Sequence, residues 1–173
     1  MSRLEEFIKN ILLFLLAIAI GIGLRTFVFG AYIVEGQSMS PTMQNGQVVM
    51  GLKLLGDIER FDIITFKGTN GKDMVKRVIA LPGDRIRYEG DQLYINDQLI
   101  DEVFLDERKA QESSLVTEDF YVADVVPQGM YFVMGDNRDH STDSRDFGFI
   151  SHSSIYSKVK LILFPFEYFR WDP

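Results

Sequence analysis

A lysine in an apolar stretch rich in β-branched side chains is the first residue whose placement suggests chemistry. Lys76 lies in the run 74–81, which ends at a Pro-Gly turn. Read as a strand, the run places Lys76 on one face with Met74 and Val78. Burial of the amine would disfavour the ammonium form and lower the lysine pKa, as a general base requires. The alternative is a lysine on an edge strand whose amine reaches solvent.

A serine in a turn is the partner that such a base would need. Ser38 lies in Gly-Gln-Ser-Met-Ser-Pro-Thr, between an apolar run and a proline-containing turn, where a hydroxyl group is exposed. The two histidines, His140 and His152, lie in polar, loop-like segments that give no context for a Ser-His-Asp triad. A serine-lysine pair follows the same logic as that triad. The pattern therefore favours Ser38 as nucleophile and Lys76 as its base.

The segment 135–148 is dense in charged and hydroxyl side chains. It contains four aspartates and two arginines and follows the strand-like run 130–134. Its spacing differs from that of a calcium-binding EF-hand, because no glutamate closes the loop at the twelfth position. One interpretation is a solvated loop with internal ion pairs. We expect neither a metal ion nor a cofactor.

Three blocks in this order resemble the type I signal peptidase family in its short Gram-positive form. They are Ser38-Met-Ser-Pro-Thr, Lys76-Arg-Val-Ile-Ala-Leu-Pro-Gly-Asp and Gly135-Asp-Asn-Arg-Asp-His-Ser-Thr-Asp-Ser-Arg, and the stretch 56–66 resembles the family's remaining block. The resemblance covers nearly the whole chain. It implies a serine endopeptidase that removes N-terminal signal peptides from secreted preproteins after small-x-small (Ala-x-Ala) sites, through an acyl-enzyme.

The resemblance also assigns roles to residues around the proposed pair. Ser141 matches a hydroxyl group that orients the lysine amine. Arg77 with Asp136, and Asp143 with Arg145, match two ion pairs that hold the site together without transferring protons. The other expected site residues are glycines of two blocks and apolar residues that line shallow pockets for small substrate side chains: Gly36, Gly135, Val34, Met39, Met43, Met74 and Val75.

Stabilisation of the oxyanion is expected from the backbone N–H of Ser38. Some family members add a serine hydroxyl two residues before the nucleophile, where this chain has Gly36. A water molecule or another backbone N–H would then supply the second hydrogen bond. The extended substrate is expected to pair with a free strand edge, either at 32–36 or at 72–76.

The N-terminal apolar stretch predicts a membrane anchor. Residues 10–24 are uncharged, but this stretch of helix reaches only about 22 Å, against a hydrocarbon core of roughly 30 Å. We therefore predict a transmembrane helix over 9–29, with Arg25 reaching the headgroups. A cleavable signal peptide is the alternative. Lysine and arginine placement favours a cytoplasmic N-terminus at 1–8, and the resemblance implies the same orientation, with an extracytoplasmic catalytic domain over 30–173.

Beyond the anchor, short β-branched runs separated by turns predict a mostly β, antiparallel fold. The expected strands are 32–34, 48–50, 62–66, 74–81, 85–88, 93–95, 131–134 and 159–164, with a hairpin turn at 89–91. A small β insertion is expected over about 85–127. Within it, the acidic segment 101–119 is expected to form a mobile excursion.

Composition limits the function classes. The net charge of −7 and the pI of about 4.8 argue against a nucleic-acid partner. Without cysteine, disulfides and thiolate chemistry are excluded. The expected partners are secretory preproteins, membrane lipid and, by proximity, the secretion translocon. The alternatives are a catalytically silent anchored protein that binds preproteins, and a self-cleaving repressor protease, which would carry a DNA-binding domain in place of the anchor.

The C-terminal segment 164–171 is strongly aromatic. Its side chains fit either packing under the sheet or contact with the bilayer interface, where tryptophan and tyrosine are enriched.

Overall fold

A single long helix begins the fold. The computed structural model describes residues 3–53, 56–69 and 71–173; the first two residues of the expected cytoplasmic terminus lie outside the described residues. Helix α1 (Arg3–Phe27) is long and apolar enough to cross a membrane and is the one such helix in the described part of the chain. Its 25 residues span about 37 Å. The helix begins earlier than the predicted anchor and ends two residues sooner, where strand pairing starts.

The rest of the chain is mostly antiparallel β structure, as the alternating pattern predicts. The strands are β1 (Phe29–Ile33), β2 (Val48–Leu52), β3 (Ile63–Lys67), β4 (Asp73–Ala80), β5 (Ile86–Glu89), β6 (Gln92–Ile95), β7 (Gln98–Ile100), β8 (Phe120–Tyr121), β9 (Met130–Met134), β10 (Ile150–Ser151), β11 (Ile155–Phe164) and β12 (Arg170–Trp171). The helices α2 (Asp106–Gln111) and α3 (Ser144–Phe147) are short. The strands that sequence reasoning missed have two or three residues, too few to show alternation.

Two sheets organise these strands. The larger sheet has the order β1-β2-β11-β3-β4-β9-β10, with β12 pairing with β11. The smaller sheet has the order β7-β6-β5-β8 and forms the predicted insertion. It packs on the larger sheet through one apolar cluster, in which Ile79 of β4 and Phe132 of β9 meet Tyr88 and Leu93 of the insertion.

Alternation along β4 divides its side chains between apolar clusters, as predicted. Val78 and Met74 pack in a cluster with Ile64 and Phe66, whereas Ile79 packs against the insertion. Val75 packs against a third cluster. Strand β4, an interior strand of the larger sheet, is therefore covered on both faces, and Lys76 lies within this covered region.

The segment 101–119, expected to be mobile, is instead packed against the sheets. It contains a 3₁₀ turn at Val103–Leu105 followed by α2. Leu105, Glu102 and Thr117 are buried. These side chains face inward, and Glu102 and Thr117 contact Arg138 in the loop after β9, which the polar composition did not indicate.

Candidate active site

Ser38 and Lys76 come together although 38 residues separate them. Ser38 lies in the turn that follows β1 and is half-buried, and Lys76 lies on β4. The Nζ atom of Lys76 is 2.6 Å from Oγ of Ser38. Because this distance is within hydrogen-bonding range, the amine can accept the hydroxyl proton when it is neutral.

Burial allows part of the Lys76 amine to be neutral near physiological pH. Lys76 is 3% exposed, and removal from water lowers its pKa from 10.5 to about 8. The carboxylates of Asp143 and Asp136 oppose this decrease, and Arg145 adds to it. The alternative in which the amine reaches solvent is therefore wrong.

The polar segment after β9 is tied together by Asp143. Its carboxylate accepts hydrogen bonds from Nε and Nη2 of Arg145, both at 2.9 Å, and from the backbone N–H of Gly135 at 2.9 Å. Burial opposes ionisation of Asp143, but these donors outweigh it and lower its pKa. Asp143 also caps α3, where Asp146 completes a capping box. The segment is thus ordered by internal hydrogen bonds rather than solvated.

The second expected ion pair joins β4 to this segment. Nε and Nη2 of Arg77 contact the two carboxylate oxygens of Asp136 at 2.9 and 2.7 Å. Nη1 of Arg77 donates to the carbonyl oxygen of Phe61 at 2.9 Å, and the guanidinium lies over the ring of Phe104. Since both members of the pair are buried, this bidentate ion pair fixes the segment after β9 against β4.

Gly135 lies where the loop after β9 packs closely against the Ser38 turn. A Cβ atom at this position would overlap the carbonyl oxygen of Ser38 and the Ser141 side chain. Among the described residues, Oγ of Ser141 is buried without a hydrogen-bond partner, although it lies close enough to Asp143 to help lower that pKa. The expected contact between Ser141 and the lysine amine therefore stays a prediction.

Gly36 adopts a backbone conformation that favours glycine, with φ of +86°. Its N–H donates to Oδ1 of Asn45 at 2.8 Å. This N–H is therefore already engaged, which removes one backbone candidate for the second oxyanion donor.

Four of the five expected pocket residues meet beside the nucleophile. Val34, Met39 and Met43 are buried in one cluster, and half-buried Val75 packs against it. Met74 lies on the other side of β4 and packs against a different cluster. A shallow apolar pocket beside Ser38 is thus consistent with the first four residues.

A strand edge is open beside Lys76. The neighbouring strand β9 pairs with β4 only from Arg77 onwards, so residues 73–76 have a strand partner on one side, β3. At the other expected edge, β1 pairs with β2 alone among the described strands. Both edges expected for substrate pairing are therefore present.

Two residues of the site escaped sequence reasoning. Asn137 contacts the turn that carries Ser38, and Arg108 of the insertion contacts Asn137. Asn137 lies within the block that begins at Gly135, so sequence reasoning could have identified it. Arg108 has no motif around it, so only the fold shows its placement.

The chain is similar to known signal peptidases. A model of the family "Signal peptidase, peptidase S26" matches residues 6–164. Signal peptidase I of Bacillus caldolyticus is 44% identical over 165 residues, covering 90% of this chain and 91% of the relative. Signal peptidase IB of Staphylococcus aureus (strain MRSA252) is 36% identical over 160 residues, covering 84% and 83%.

A solved structure shares the fold. The crystal structure of a signal peptidase I from Enterococcus faecalis V583 aligns with a TM-score of 0.58 at 38% identity. The alignment covers 60% of this chain and 97% of that chain.

Proposed function

The chain belongs to the signal peptidase family, peptidase S26, and on this premise we propose that it is a membrane-anchored serine endopeptidase with a Ser38 nucleophile and a Lys76 general base. It removes signal peptides from secretory preproteins after Ala-x-Ala sites. The observation that carries this proposal is the 2.6 Å contact between Lys76 Nζ and Ser38 Oγ, with the amine buried.

The first half of the reaction forms an acyl-enzyme. Neutral Lys76 takes the proton of Ser38 as Oγ attacks the carbonyl carbon at the end of the signal peptide. The backbone N–H of Ser38 stabilises the oxyanion. When the tetrahedral intermediate collapses, the peptide bond breaks, and the Lys76 ammonium group gives its proton to the leaving amine.

The second half releases the signal peptide. Lys76, neutral again, takes a proton from a water molecule that attacks the ester carbonyl. Collapse of the second tetrahedral intermediate returns the proton from Lys76 to Ser38 Oγ and frees the signal peptide with a new carboxylic acid, which then loses its proton to solvent. Ser141 is proposed to orient the amine through a hydrogen bond that forms during the reaction, since its Oγ has no hydrogen-bond partner among the described residues. The pairs Arg77–Asp136 and Asp143–Arg145 hold the segment in place.

Substrate selection follows from the open edge and the apolar cluster. An extended preprotein segment pairs with residues 73–76 of β4, and small side chains enter the pocket walled by Val75 and the cluster that contains Val34, Met39 and Met43. Met74 packs in a different cluster and is not part of this pocket.

The anchor α1 holds the enzyme in the cell membrane next to lipid and the translocon, with the catalytic domain outside. Since the chain lacks cysteine, a single cysteine at exposed Gln98 reports orientation. A membrane-impermeant maleimide should label Gln98→Cys in intact cells. Labelling that appears only after lysis would mean the opposite orientation.

Preprotein cleavage tests the function directly. Wild-type chain and Ser38→Ala are compared in detergent or vesicles with a preprotein that has an Ala-x-Ala site, and mass spectrometry locates the cut. We expect cleavage after the second alanine by wild type alone. Absence of cleavage by folded wild type on several preproteins would favour the silent preprotein-binding protein instead.

A further inference from the structure

One residue holds the backbone on both sides of the Ser38 Cα. The amide Nδ2 of Asn137 donates to the carbonyl oxygen of Gln37 at 3.0 Å. The backbone N–H of Asn137 donates to the carbonyl oxygen of Ser38, also at 3.0 Å. Because the peptide group is planar, holding the Gln37 oxygen also sets the direction of the Ser38 N–H.

An arginine from the insertion fixes the Asn137 side chain. Nη1 of Arg108 donates to Oδ1 of Asn137 at 3.1 Å and to the carbonyl oxygen of Asp136 at 3.3 Å. A guanidinium group only donates, so the amide oxygen must face Arg108 and the amide nitrogen must face Gln37. Arg108 is itself held by Glu112 at 2.6 Å and Asp139 at 2.5 Å.

We infer that Asn137 and Arg108 are positioning residues that aim the Ser38 N–H, the proposed oxyanion donor. The chain of contacts runs from α2 of the insertion through the Asn137 amide to the peptide group before the nucleophile. This inference rests on the proposed function. It gives the small insertion a positioning role in catalysis, although the insertion contributes neither the nucleophile nor the base.

The physical effect has two parts. A hydrogen bond to the Gln37 oxygen polarises that peptide group and strengthens the Ser38 N–H as a donor. It also keeps this N–H aimed at the place where negative charge develops, and the alignment matters because an oxyanion donor contributes about 10²–10³ in rate. The loss should therefore appear in the transition state rather than in substrate binding.

Two alanine variants of the full-length chain measure this effect on an Ala-x-Ala preprotein. Asn137→Ala should lower kcat by about 10- to 100-fold, below the loss of a whole donor, with KM nearly unchanged. Arg108→Ala should lower kcat by about 3- to 10-fold, because Asn137 remains but its amide is free to rotate. The matched control is Arg87→Ala, which removes an arginine of the same insertion whose ion pair with Glu89 is exposed.

A peptide aldehyde separates positioning from general loss of structure. The aldehyde forms a tetrahedral adduct with the serine, so its affinity should weaken in step with kcat/KM in both variants. The midpoint of the pH-rate profile should stay at its wild-type value. In the double variant, Arg108→Ala should add no further loss, because Arg108 acts through Asn137.

Each outcome decides the question. A kcat of Asn137→Ala within twofold of wild type, or additive losses in the double variant, would overturn the inference. If Asn137→Ala fails to fold, Arg108→Ala decides alone: unchanged kcat and aldehyde affinity would overturn it. Absence of Ser38-dependent cleavage by both wild type and Arg87→Ala would instead contradict the proposed function.

Discussion

At the scale of single residues, Lys76 is held in a state that suits catalysis and opposes stability. The amine has lost most of its contact with water, and no carboxylate of the described residues forms an ion pair with it within 4 Å. Asp136 and Asp143 are instead neutralised by their own arginines. The pKa of Lys76 is therefore lowered to about 8 and not returned to its ordinary value by a partner.

The first prediction concerns the pH dependence of cleavage. Because Lys76 must be neutral to act as base, kcat/KM should rise with pH and level off above a pKa of about 8. Lys76→Ala should lower kcat/KM by about 10²–10⁴ and abolish this inflection. The measurement is the initial rate of preprotein cleavage from about pH 6 to about pH 10. A flat wild-type profile would mean that another group or product release limits the rate.

The second prediction concerns stability. The folded-state pKa of Lys76 lies below its unfolded value, so the unfolded chain binds more protons between about pH 8 and pH 10.5. The contribution of Lys76 to the free energy of unfolding is therefore unfavourable at neutral pH, and this penalty diminishes as the pH rises through that interval. Replacement by methionine, which is apolar and similar in length, removes the titration.

Lys76→Met should accordingly be more stable than wild type near pH 7, and its advantage should shrink by about 2 kcal/mol by about pH 9.5. Thermal and urea unfolding in detergent at both pH values measure the difference. Comparing the two chains at each pH cancels the titration of all other groups. An advantage that is constant with pH would show that Lys76 titrates normally in the folded chain.

Some residues of the site can be predicted from the sequence, and others cannot. Ser38 and Lys76 are predictable because local patterns mark a turn and an apolar strand, and the shared blocks connect them. Arg108 is not predictable, since its contact with Asn137 depends on how the insertion docks. Met74 shows the reverse: the resemblance implied that it lines the pocket together with Val75, but strand alternation places the two side chains in different clusters.

At the scale of elements, a buried ion pair joins the loop after β9 to the insertion. Arg138 and Glu102 are both 0% exposed, with Nη2 of Arg138 2.5 Å from Oε1 of Glu102. Arg138 also donates to the hydroxyl groups of Tyr88 at 3.0 Å and Thr117 at 2.9 Å. Its Nε donates to the carbonyl oxygen of Gly135 at 3.1 Å. The sequence did not indicate this packing of the segment 101–119, because the pair joins two segments that are distant in sequence.

The third prediction follows from this pair. Arg138→Met leaves Glu102 buried without its main partner and should lower the free energy of unfolding by about 3–5 kcal/mol. The double variant Arg138→Met with Glu102→Met should recover much of that loss, because no charge is left unpaired. Unfolding curves of the two single variants and the double variant give the coupling. Equal and additive losses would show that the charges are independently solvated.

At the scale of the whole molecule, the anchor and the sheet form one continuous unit. A single residue separates α1 from β1. Nζ of Lys53 donates to the carbonyl oxygen of Thr26 at 2.6 Å, which satisfies one of the orphan carbonyls at the helix end. The helix and the larger sheet are therefore joined directly, without a linker.

The sheet also presents an apolar outer face next to the anchor. Strand register aligns two rows of residues across β1, β2, β11 and β12: Ile33, Val48 and Phe164 form one row, and Ala31, Met50, Leu161 and Trp171 form the other, in which Leu161 is buried. Trp171 is 66% exposed, and Phe166 and Phe169 beside it are exposed as well. The alternative of aromatic packing under the sheet is therefore wrong for these three side chains.

The fourth prediction places this outer face at the bilayer interface. Trp171 is the only tryptophan, so its fluorescence in vesicles holding the full-length chain reports the depth of the face. We expect efficient quenching by lipids brominated high on the acyl chains and weak quenching by aqueous iodide, because interfacial tryptophan lies at the headgroup level. Phe166→Glu should reverse the two efficiencies, since a carboxylate on the face opposes immersion. Efficient iodide quenching of the wild-type chain would mean that the face is exposed to water and that α1 alone holds the enzyme at the membrane.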